Sequence, residues 1–327
     1  MNCAVIDLGS NTIRLSIFRY EDNKMTTVIQ QKEVAGLAGY MKENQLEQDG
    51  IQKACDVLCE FKKIAAHFVA ENEIHAFATA SLRGILNQDQ VLETIQQTTG
   101  LLPELLSGEE EARLDFVGAS HFTECRDGVL IDIGGASTEL VRFENARSVR
   151  VASMPIGCLN LYTKFVGKII PNGEERKKIK KEIREQLTNL GWSAEYNLPL
   201  MIGVGGTVRA AHKLSCGLFS LPQDQNEMDV GFIKEILNKL KNNENEIYRT
   251  VYKLIPERTL TIFTGLMIFN EAIKRFGCES IFVSGYGVRE GYFIDRILKE
   301  GGAVSADGTY GYGGVHAEPG TVVAEVQ

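Results

Sequence analysis

The sequence predicts an α/β protein built from two domains of related structure. Three observations support this prediction. The chain has 327 residues, which is more than twice the usual size of one domain. Residues 5–18 and 130–143 repeat one pattern without a gap. Further along, two apolar runs each pass through a glycine-rich turn into a helical pattern, and this alternation of strands with helices is typical of α/β proteins.

The internal repeat is the strongest sign of how the chain is organised. VIDLGSNTIRLSIF aligns with LIDIGGASTELVRF, so that Asp7 matches Asp132 and Gly9 matches Gly134. Each copy is a β-branched apolar run, a turn of small residues and a second apolar run, which predicts a β-hairpin. We therefore interpret the chain as a duplicated domain.

Strand, turn and helix are predicted over residues 200–214 and again over 280–298. Further helices are predicted over residues 49–70, 81–98, 107–120, 157–165, 174–190, 230–243 and 257–276. We place the domain boundary near residue 122, which gives an N-terminal domain of residues 1–122 and a C-terminal domain of residues 123–300. Residues 301–327 contain seven glycines and neither Lys nor Arg, which indicates a disordered, mobile tail.

Composition narrows the class of protein. Hydrophobic residues make up 44% and charged residues 24%, which is ordinary for a globular protein. The seven cysteines are scattered without a CxxC pair, so we expect reduced thiols. No apolar run approaches the roughly 18 residues needed to span a bilayer, and a cytoplasmic location is expected. The net charge of −8 argues against nucleic acid or an anionic membrane as a partner.

Both hairpin turns have the composition of a phosphate-binding loop. Glycine and small hydroxyl residues allow backbone N–H groups to approach an anion closely. A tight turn without a ligand is the alternative for either hairpin alone, but a matched pair, each preceded by Asp, favours phosphate binding. Asp at a strand end beside such a loop is suited to holding Mg²⁺ through water. The candidate phosphate-binding residues of the two turns are Ser10, Asn11 and Thr12, and Gly134, Gly135, Ser137 and Thr138.

Three arginines provide a second indication of an anion. Arg83, Arg209 and Arg289 each follow a predicted helix cap by two residues. A cation in the first turn opposes the helix dipole at a cost of about 0.3–1 kcal/mol, which a bound phosphate would offset. Pairing with surface carboxylates is the alternative. Arg14 is a fourth candidate, and Gly205 and Gly206 form the turn that precedes Arg209.

The segment SGEEEAR contains three consecutive glutamates at a predicted helix start. Ser107 is the expected N-cap and Glu110 occupies the capping-box position. Glu109 and Glu111 also gain from the helix dipole. The local pattern alone does not choose a catalytic residue among them.

Together, these motifs resemble the exopolyphosphatase and guanosine pentaphosphate phosphohydrolase family, within the sugar kinase, heat-shock ATPase and actin superfamily. The matching segments, in family order, are AVIDLGSNTIRL, ATASLRG, SGEEEARLDFVGA, VLIDIGGASTEL, MPIGCLNL, IGVGGTVRAA and VSGYGVREG. The resemblance implies two ribonuclease H-like (actin-like ATPase) domains with an active-site cleft between them. It also implies Mg²⁺-dependent hydrolysis of terminal phosphate from inorganic polyphosphate or guanosine pentaphosphate, and a homodimer.

The resemblance assigns roles to individual residues. The catalytic base of the family falls on Glu111, and its ATxxLR arginine falls on Arg83. The second phosphate loop of the family carries over onto Asp132, Gly134, Gly135, Ser137, Thr138 and Glu139. On this basis we expect Glu111 to activate a water molecule. Asp132 and Glu139, with Asp7 as a further candidate, are expected to position Mg²⁺.

The sequence departs from the family pattern in two places. Ala136 stands where the family usually has a third glycine, and because Ala tolerates positive φ poorly we expect a changed fit of the loop. The chain also stops without the HD-type carboxy-terminal domain of the longer members, so it resembles the short two-domain form.

Two other functions stay open. One is an actin-fold kinase or ATPase, because the same loops hold ATP phosphates in that class. The other is a sensor that binds guanosine penta- or tetraphosphate without turnover. The basic cluster at residues 176–184 also has two interpretations: a solvated helix face interleaved with glutamates, or a track for an extended polyphosphate.

Overall fold

The computed structural model describes residues 1–121, 126–192 and 197–299, except the side chains of residues 241 and 242. Backbone packing divides the chain into two compact units, one of Met1–Ser107 with the described residues from Tyr292 onward and one of Gly108–Gly291. The predicted tail and Cys125 lie outside the described residues. The six cysteines within them are free thiols, as predicted. No helix in the described ranges has the length and apolar character to cross a bilayer.

The first unit contains strands β1 (Asn2–Leu8), β2 (Ile13–Glu21), β3 (Lys24–Glu33), β4 (Met41–Lys42), β5 (Gln45–Leu46), β6 (Ile74–Ala78) and β7 (Glu104–Leu105), and helices α1 (Gln48–Ala65) and α2 (Gln88–Thr99). Its main sheet has the order β3-β2-β1-β6-β7, with β4 and β5 as a separate small ladder. Strands β1 to β3 are antiparallel, whereas β6 is parallel to β1 and β7 is parallel to β6. A single hydrophobic core joins α1 to the sheet, because Ile51, Leu58 and Phe61 form one buried stripe of that helix.

The second unit contains helices α3 (Gly108–His121), α4 (Cys158–Phe165), α5 (Gly173–Asn189), α6 (Gly205–Phe219), α7 (Val230–Asn242), α8 (Glu244–Leu254), α9 (Ile262–Phe276) and α10, which begins at Val288. Its strands are β8 (Gly128–Ile133), β9 (Thr138–Glu144), β10 (Arg147–Met154), β11 (Leu200–Val204), β12 (Glu227–Asp229) and β13 (Ser280–Val283). The sheet order is β10-β9-β8-β11-β13-β12. Helix α9 is buried along almost its whole length and forms the centre of this unit's core.

The two units repeat one topology. In each, three consecutive antiparallel strands are followed in the sheet by two parallel strands that arrive through helices. The second unit adds β12 as an antiparallel edge strand. This is the ribonuclease H-like arrangement in both units. The predicted α/β class and the predicted duplication are confirmed.

Several predicted boundaries differ from the structure. The compact units divide at Ser107, ahead of the boundary that we placed near residue 122, because α3 packs against β9 and β10 of the second unit. The helix predicted from residue 81 begins at Gln88, and the helix predicted from residue 257 begins at Ile262. Helix α8 has no counterpart among the predicted helices. Only Asn243, in a non-helical conformation, separates it from α7.

Candidate functional site

The two predicted hairpins have matching turn geometry. In the second, the Gly134 N–H donates to the Ser137 carbonyl at 3.0 Å, and in the first the Gly9 N–H donates to the Thr12 carbonyl at 3.1 Å. The residues that flank the turns also correspond in register. Asp132 is the cross-strand partner of Glu139, and the equivalent pair in the first hairpin is Asp7 with Arg14.

Helix α4 fixes the direction in which the second turn presents its amides. The carbonyls of Gly134 and Gly135 accept from the N–H groups of Cys158 and Asn160 at 2.9 and 3.0 Å, and the Asn160 amide donates to the Ala136 carbonyl at 2.7 Å. In a trans peptide the N–H points opposite to the carbonyl of the same unit, and no cis bond is present in the described residues. The three amide N–H groups that follow these carbonyls therefore point away from α4. They form a candidate anion nest.

The first turn is held in the same way by a different segment. The Ser10 carbonyl accepts from the Ala38 N–H at 2.8 Å, and the Asn11 carbonyl accepts from the Gly36 N–H at 2.9 Å. By the same peptide geometry, the N–H groups of Asn11 and Thr12 point away from that segment. Each unit thus carries one turn whose carbonyls are bonded on one side and whose amides face the other.

Close approach, not positive φ, explains Gly9 and Gly134. A Cβ on Gly9 would lie 2.9 Å from the Thr12 carbonyl oxygen, and one on Gly134 would lie 3.1 Å from that of Ser137. Ala136 is absent from the positive-φ residues of the described chain. The expectation that Ala136 changes the fit of the loop through a disfavoured φ is therefore wrong.

Four carboxylates converge in the second unit. Glu111 lies in the first turn of α3 and is buried, and Glu139 on β9 is 1% exposed. Asp115, one helical turn after Glu111, is also 1% exposed. Its pKa is raised well above the ordinary range by burial, and further by the charges of Asp132, Glu111 and Glu139. All three predicted acidic residues of this unit therefore lie near Asp115.

Asp132 is held at the start of α6. A Cβ on Gly205 would fall 2.0 Å from Asp132 Oδ1, so that only glycine permits this approach. Glu139 is oriented separately, because Ser153 donates its hydroxyl to Glu139 Oε1 at 2.8 Å. Within the described residues, no three carboxylates of this unit bring one oxygen each within 4.8 Å of one another. Mg²⁺ prefers a site in which one or two carboxylates bind it and water molecules supply the other ligands, so Asp132 and Glu139 fit this ion. Asp7, the third predicted ligand, belongs to the first unit.

Two arginines accompany these acids. Arg289 is the second residue of α10 (Val288–Tyr292), in the first turn as predicted. Its side chain is buried. Burial, and then the charge of Arg289, lowers the pKa of Arg209, while Asp132 and Glu290 act in the opposite direction. These side chains therefore lie close together. The predicted position of Arg209 two residues after a cap is wrong, because α6 begins at Gly205 and places Arg209 in its second turn.

Arg83 does not lie at a helix start, which corrects the prediction for this residue. The hydroxyl of Ser81, the expected cap, donates to the Leu8 carbonyl instead. The Thr79 N–H also donates to the Leu8 carbonyl, at 3.5 Å, so this segment is hydrogen-bonded to the last residue of β1. The Arg83 guanidinium donates to the Leu106 carbonyl at 3.0 Å. Arg83 thus lies on a turn that is bonded to the strand leading into the first phosphate loop.

The basic cluster of α5 is interleaved with acidic partners. Lys177 pairs with Glu174 at 2.7 Å, and Arg184 pairs with the buried Glu271, also at 2.7 Å. These pairs favour the interpretation as a solvated helix face. The alternative, a track for polyphosphate, stays a prediction.

Three polar residues near the site, two of them buried, were not predicted from the sequence. Asp115 follows Glu111 by four residues, so helical periodicity would have placed both on one face of α3. Glu290 follows Arg289 directly, is 1% exposed and accepts from the Gly287 N–H at 2.9 Å. Ser153 reaches Glu139 only through the pairing of β10 with β9, and no local pattern indicates it.

The predicted site residues divide between the two units. The first contains Asp7, Ser10, Asn11, Thr12, Arg14 and Arg83. The second contains Glu111, Asp132, Gly134, Gly135, Ser137, Thr138, Glu139, Gly205, Gly206, Arg209 and Arg289. The second unit therefore brings together the predicted base, two of the three predicted metal ligands and two arginines.

Solved structures share this fold. A family member from Aquifex aeolicus, described as a Ppx/GppA protein, is 27% identical, with a TM-score of 0.77 over 92% of this chain and 98% of that one. An exopolyphosphatase from Cytophaga hutchinsonii is 20% identical, with a TM-score of 0.80 over 93% of this chain and 99% of that one. The latter likeness establishes the fold alone.

Two curated relatives have the name guanosine-5'-triphosphate,3'-diphosphate pyrophosphatase. The protein from Vibrio parahaemolyticus is 30% identical and that from Photobacterium profundum is 28% identical, in each case over 90% of this chain. The alignments cover 59% of each of those two proteins, so this chain spans about three fifths of their length. Residues 16–300 match the Ppx/GppA phosphatase family. With the repeated topology and the paired turns, this match shows that the chain belongs to the Ppx/GppA phosphatase family.

Proposed function

We propose that this protein is a Mg²⁺-dependent phosphohydrolase that removes the terminal phosphate from guanosine pentaphosphate, inorganic polyphosphate or both. One observation carries the proposal: the buried Glu111 lies in the same cluster of carboxylates as Asp132 and Glu139, in the unit that also holds an amide nest and two arginines. A base, a metal-binding pair and anion donors are the parts that phosphoryl transfer to water requires.

Glu111 is the proposed base. Its carboxylate accepts a proton from the attacking water and orients that water towards the terminal phosphorus. Asp132 and Glu139 would hold the magnesium ion, which neutralises charge on the phosphate oxygens when bound. Asp7 of the first unit remains a further candidate ligand.

The anion donors stabilise the negative charge of the transferred phosphoryl group. In the second unit these are the amides after Gly134, the hydroxyls of Ser137 and Thr138, and the guanidinium groups of Arg209 and Arg289, with Gly205 and Gly206 at the start of α6. In the first unit the proposed donors are Ser10, Asn11, Thr12, Arg14 and Arg83. Fixed donors of this kind lower the barrier because they need no reorganisation during the reaction.

The choice of substrate rests on two different supports. The name of the Vibrio and Photobacterium relatives specifies guanosine pentaphosphate as what those proteins act on. The family motifs of the sequence add polyphosphate. Both molecules present the same terminal phosphate, so side-by-side turnover by the purified chain ranks them.

The decisive experiment measures phosphate release by the Glu111→Gln variant in Mg²⁺. We expect turnover to fall roughly 10²–10⁴-fold, because the amide keeps the shape and loses the base. Glu109→Gln is the matched control, since Glu109 lies in the same turn and is exposed. Undiminished phosphate release by Glu111→Gln would remove Glu111 from the mechanism.

Two further measurements, made beside phosphate release, separate the other two functions. Release of ADP from ATP in the presence of sugars, without phosphate release from the proposed substrates, would identify a kinase. Tight guanosine pentaphosphate binding without turnover would identify a sensor. The expected homodimer and cytoplasmic location form part of the proposal and are checked by light scattering and cell fractionation.

A further inference from the structure

Three side chains with metal-binding atoms meet on one face of the first sheet. Val5 of β1 pairs with His75 of β6 in parallel register, and side chains two residues apart on a strand share a face. Cys3 therefore lies on the same face as His75, and Glu73 comes two residues before His75. The Cys3 sulfur, one Glu73 oxygen and one His75 ring nitrogen all lie within 4.8 Å of one another.

We propose that Cys3, Glu73 and His75 bind a thiophilic divalent transition-metal ion, with Zn²⁺ as the natural candidate. Ligand atoms around tetrahedral zinc lie roughly 3.3–3.8 Å apart, given bonds of about 2.0–2.3 Å. The three atoms therefore lie at most about 1 Å beyond this spacing. Glu73 and His75 are half-buried, and a water molecule would complete a set of four ligands.

The donor set separates this site from the proposed magnesium site. Thiolate and imidazole favour zinc and cobalt, whereas Mg²⁺ requires oxygen ligands and retains its water. Because Asp132 and Glu139 offer only oxygens and belong to the other unit, the two sites select different ions. An excess of Mg²⁺ leaves the cysteine site available to zinc.

The Glu73 carboxylate places a negative charge beside the buried Cys3 sulfur, which favours a cation at the cluster. The Cys3 thiol donates to the Ala4 carbonyl oxygen, with the sulfur 3.7 Å from that oxygen. Metal binding forms the sulfur–metal bond and releases the thiol proton to solvent. The bound ion then neutralises the thiolate and the carboxylate together.

A metal at this position joins β1, the central strand of the first sheet, to its neighbour β6. Strand β1 continues into the turn of Ser10 to Thr12. Binding therefore stabilises the unit that presents the first phosphate loop, without contributing a group to the proposed reaction. The expected effect of zinc is thermal stabilisation, not a change of chemistry.

The test uses the purified full chain in excess Mg²⁺. Cobalt added to the metal-free protein is expected to give a thiolate-to-cobalt absorption band in the near ultraviolet, and zinc is expected to remove the band and raise the melting temperature. Competition with a chromophoric chelator gives the zinc affinity. Cys3→Ala should abolish the band, and His75→Gln and Glu73→Gln should each weaken zinc binding at least about tenfold.

Two matched variants serve as controls. Cys59→Ser removes a partly exposed thiol, and His67→Gln removes an exposed imidazole, and both should leave the zinc affinity unchanged. Because Cys3 is in the core and its variant can fail to fold, the half-buried Glu73 and His75 variants keep the test decisive. A cobalt band that survives Cys3→Ala, an unchanged affinity in His75→Gln, or no zinc binding by the unmodified chain would overturn the proposal.

Discussion

Asp132 and Glu139 face each other across the second hairpin as direct cross-strand partners. The equivalent partners in the first hairpin are Asp7 and Arg14. Like charges directly opposite in a sheet destabilise it, whereas opposite charges stabilise it. The duplicated turn has therefore diverged, with one copy carrying a compensated pair and the other a pair that gains from a cation.

Replacing Glu139 with Gln tests this divergence through two readouts that move in opposite directions. The metal-free protein should become more stable by about 0.2–1 kcal/mol, because the repulsion with Asp132 is removed. The Mg²⁺ concentration for half-maximal phosphate release should rise about tenfold or more. Urea unfolding in EDTA and a Mg²⁺ titration of turnover measure the two effects.

Glu144→Gln is the control for this experiment, since Glu144 is exposed at the end of the same strand. It should leave the Mg²⁺ requirement unchanged. An unaltered requirement in Glu139→Gln as well would show that Glu139 does not hold the metal.

The hairpins were predictable because their information is local. A gapless repeat placed Asp7 and Asp132 at equivalent strand ends, and the structure confirms both hairpins and the shared topology. The directions of the turn amides were not predictable. They depend on carbonyl hydrogen bonds from segments distant in sequence, such as the one from Cys158 to Gly134.

The arginine pattern shows where local reasoning fails. Ser81 has the composition of a helix cap, yet its hydroxyl bonds to the carbonyl of Leu8, a residue 73 positions away. A long-range bond of this kind overrides the local capping preference, and the helix starts at Gln88 instead. Arg289 was placed correctly because α10 begins directly after the glycine turn.

Asp115→Asn tests the pH dependence of stability. Burial, followed by the charge of Asp132, raises the pKa of Asp115 in the folded protein. As pH rises above about 3.9, the unfolded chain loses this proton while the folded protein keeps it, so stability falls until pH passes the folded pKa. The asparagine variant lacks this loss. Its stability advantage in urea unfolding without Mg²⁺ should therefore be absent below about pH 4 and grow as pH rises; a pH-independent difference would contradict this account.

Gly118→Ala should destabilise the second unit. A Cβ on Gly118 of α3 would lie 2.1 Å from the Gly287 carbonyl oxygen, which is backbone and cannot rotate away. We expect a loss of at least about 1–3 kcal/mol in the free energy of unfolding. Gly173→Ala is the matched control, because no atom lies within 4 Å of its Cβ position and its φ is not positive. That variant should gain about 0.4–1 kcal/mol, and equal effects of the two substitutions would contradict the predicted clash.

The second phosphate loop should respond differently to two small substitutions. A Cβ on Gly157 would lie 2.5 Å from the carbonyl of Gly135, so Gly157→Ala displaces the loop and should lower phosphate release at least about tenfold. Ala136→Gly removes no strain, because Ala136 does not have a positive φ. It should leave turnover within about twofold and cost at most about 1 kcal/mol of stability. Faster turnover in Ala136→Gly would restore the view that the alanine impairs the loop.

Arg209 and Arg289 provide the last prediction, because each raises the electrostatic free energy of the other. The charge of Arg289 lowers the pKa of Arg209, and Arg289 is 7% exposed, so solvent screens the pair poorly. A phosphate bound beside both guanidinium groups removes this repulsion and forms charge-assisted hydrogen bonds.

Inorganic phosphate should therefore raise the melting temperature of the protein, since a ligand that binds only the folded state stabilises it by mass action. Arg289→Gln should reduce this rise. In this variant, the difference in stability between the phosphate-free and the phosphate-bound protein should be smaller, because the repulsion is already absent without phosphate. Arg150→Gln, at an exposed position on β10, is the control and should keep the full response. A phosphate response that is equal in Arg289→Gln and Arg150→Gln would show that the anion binds elsewhere, and would leave the two arginines with a structural role through Asp132 and Glu290.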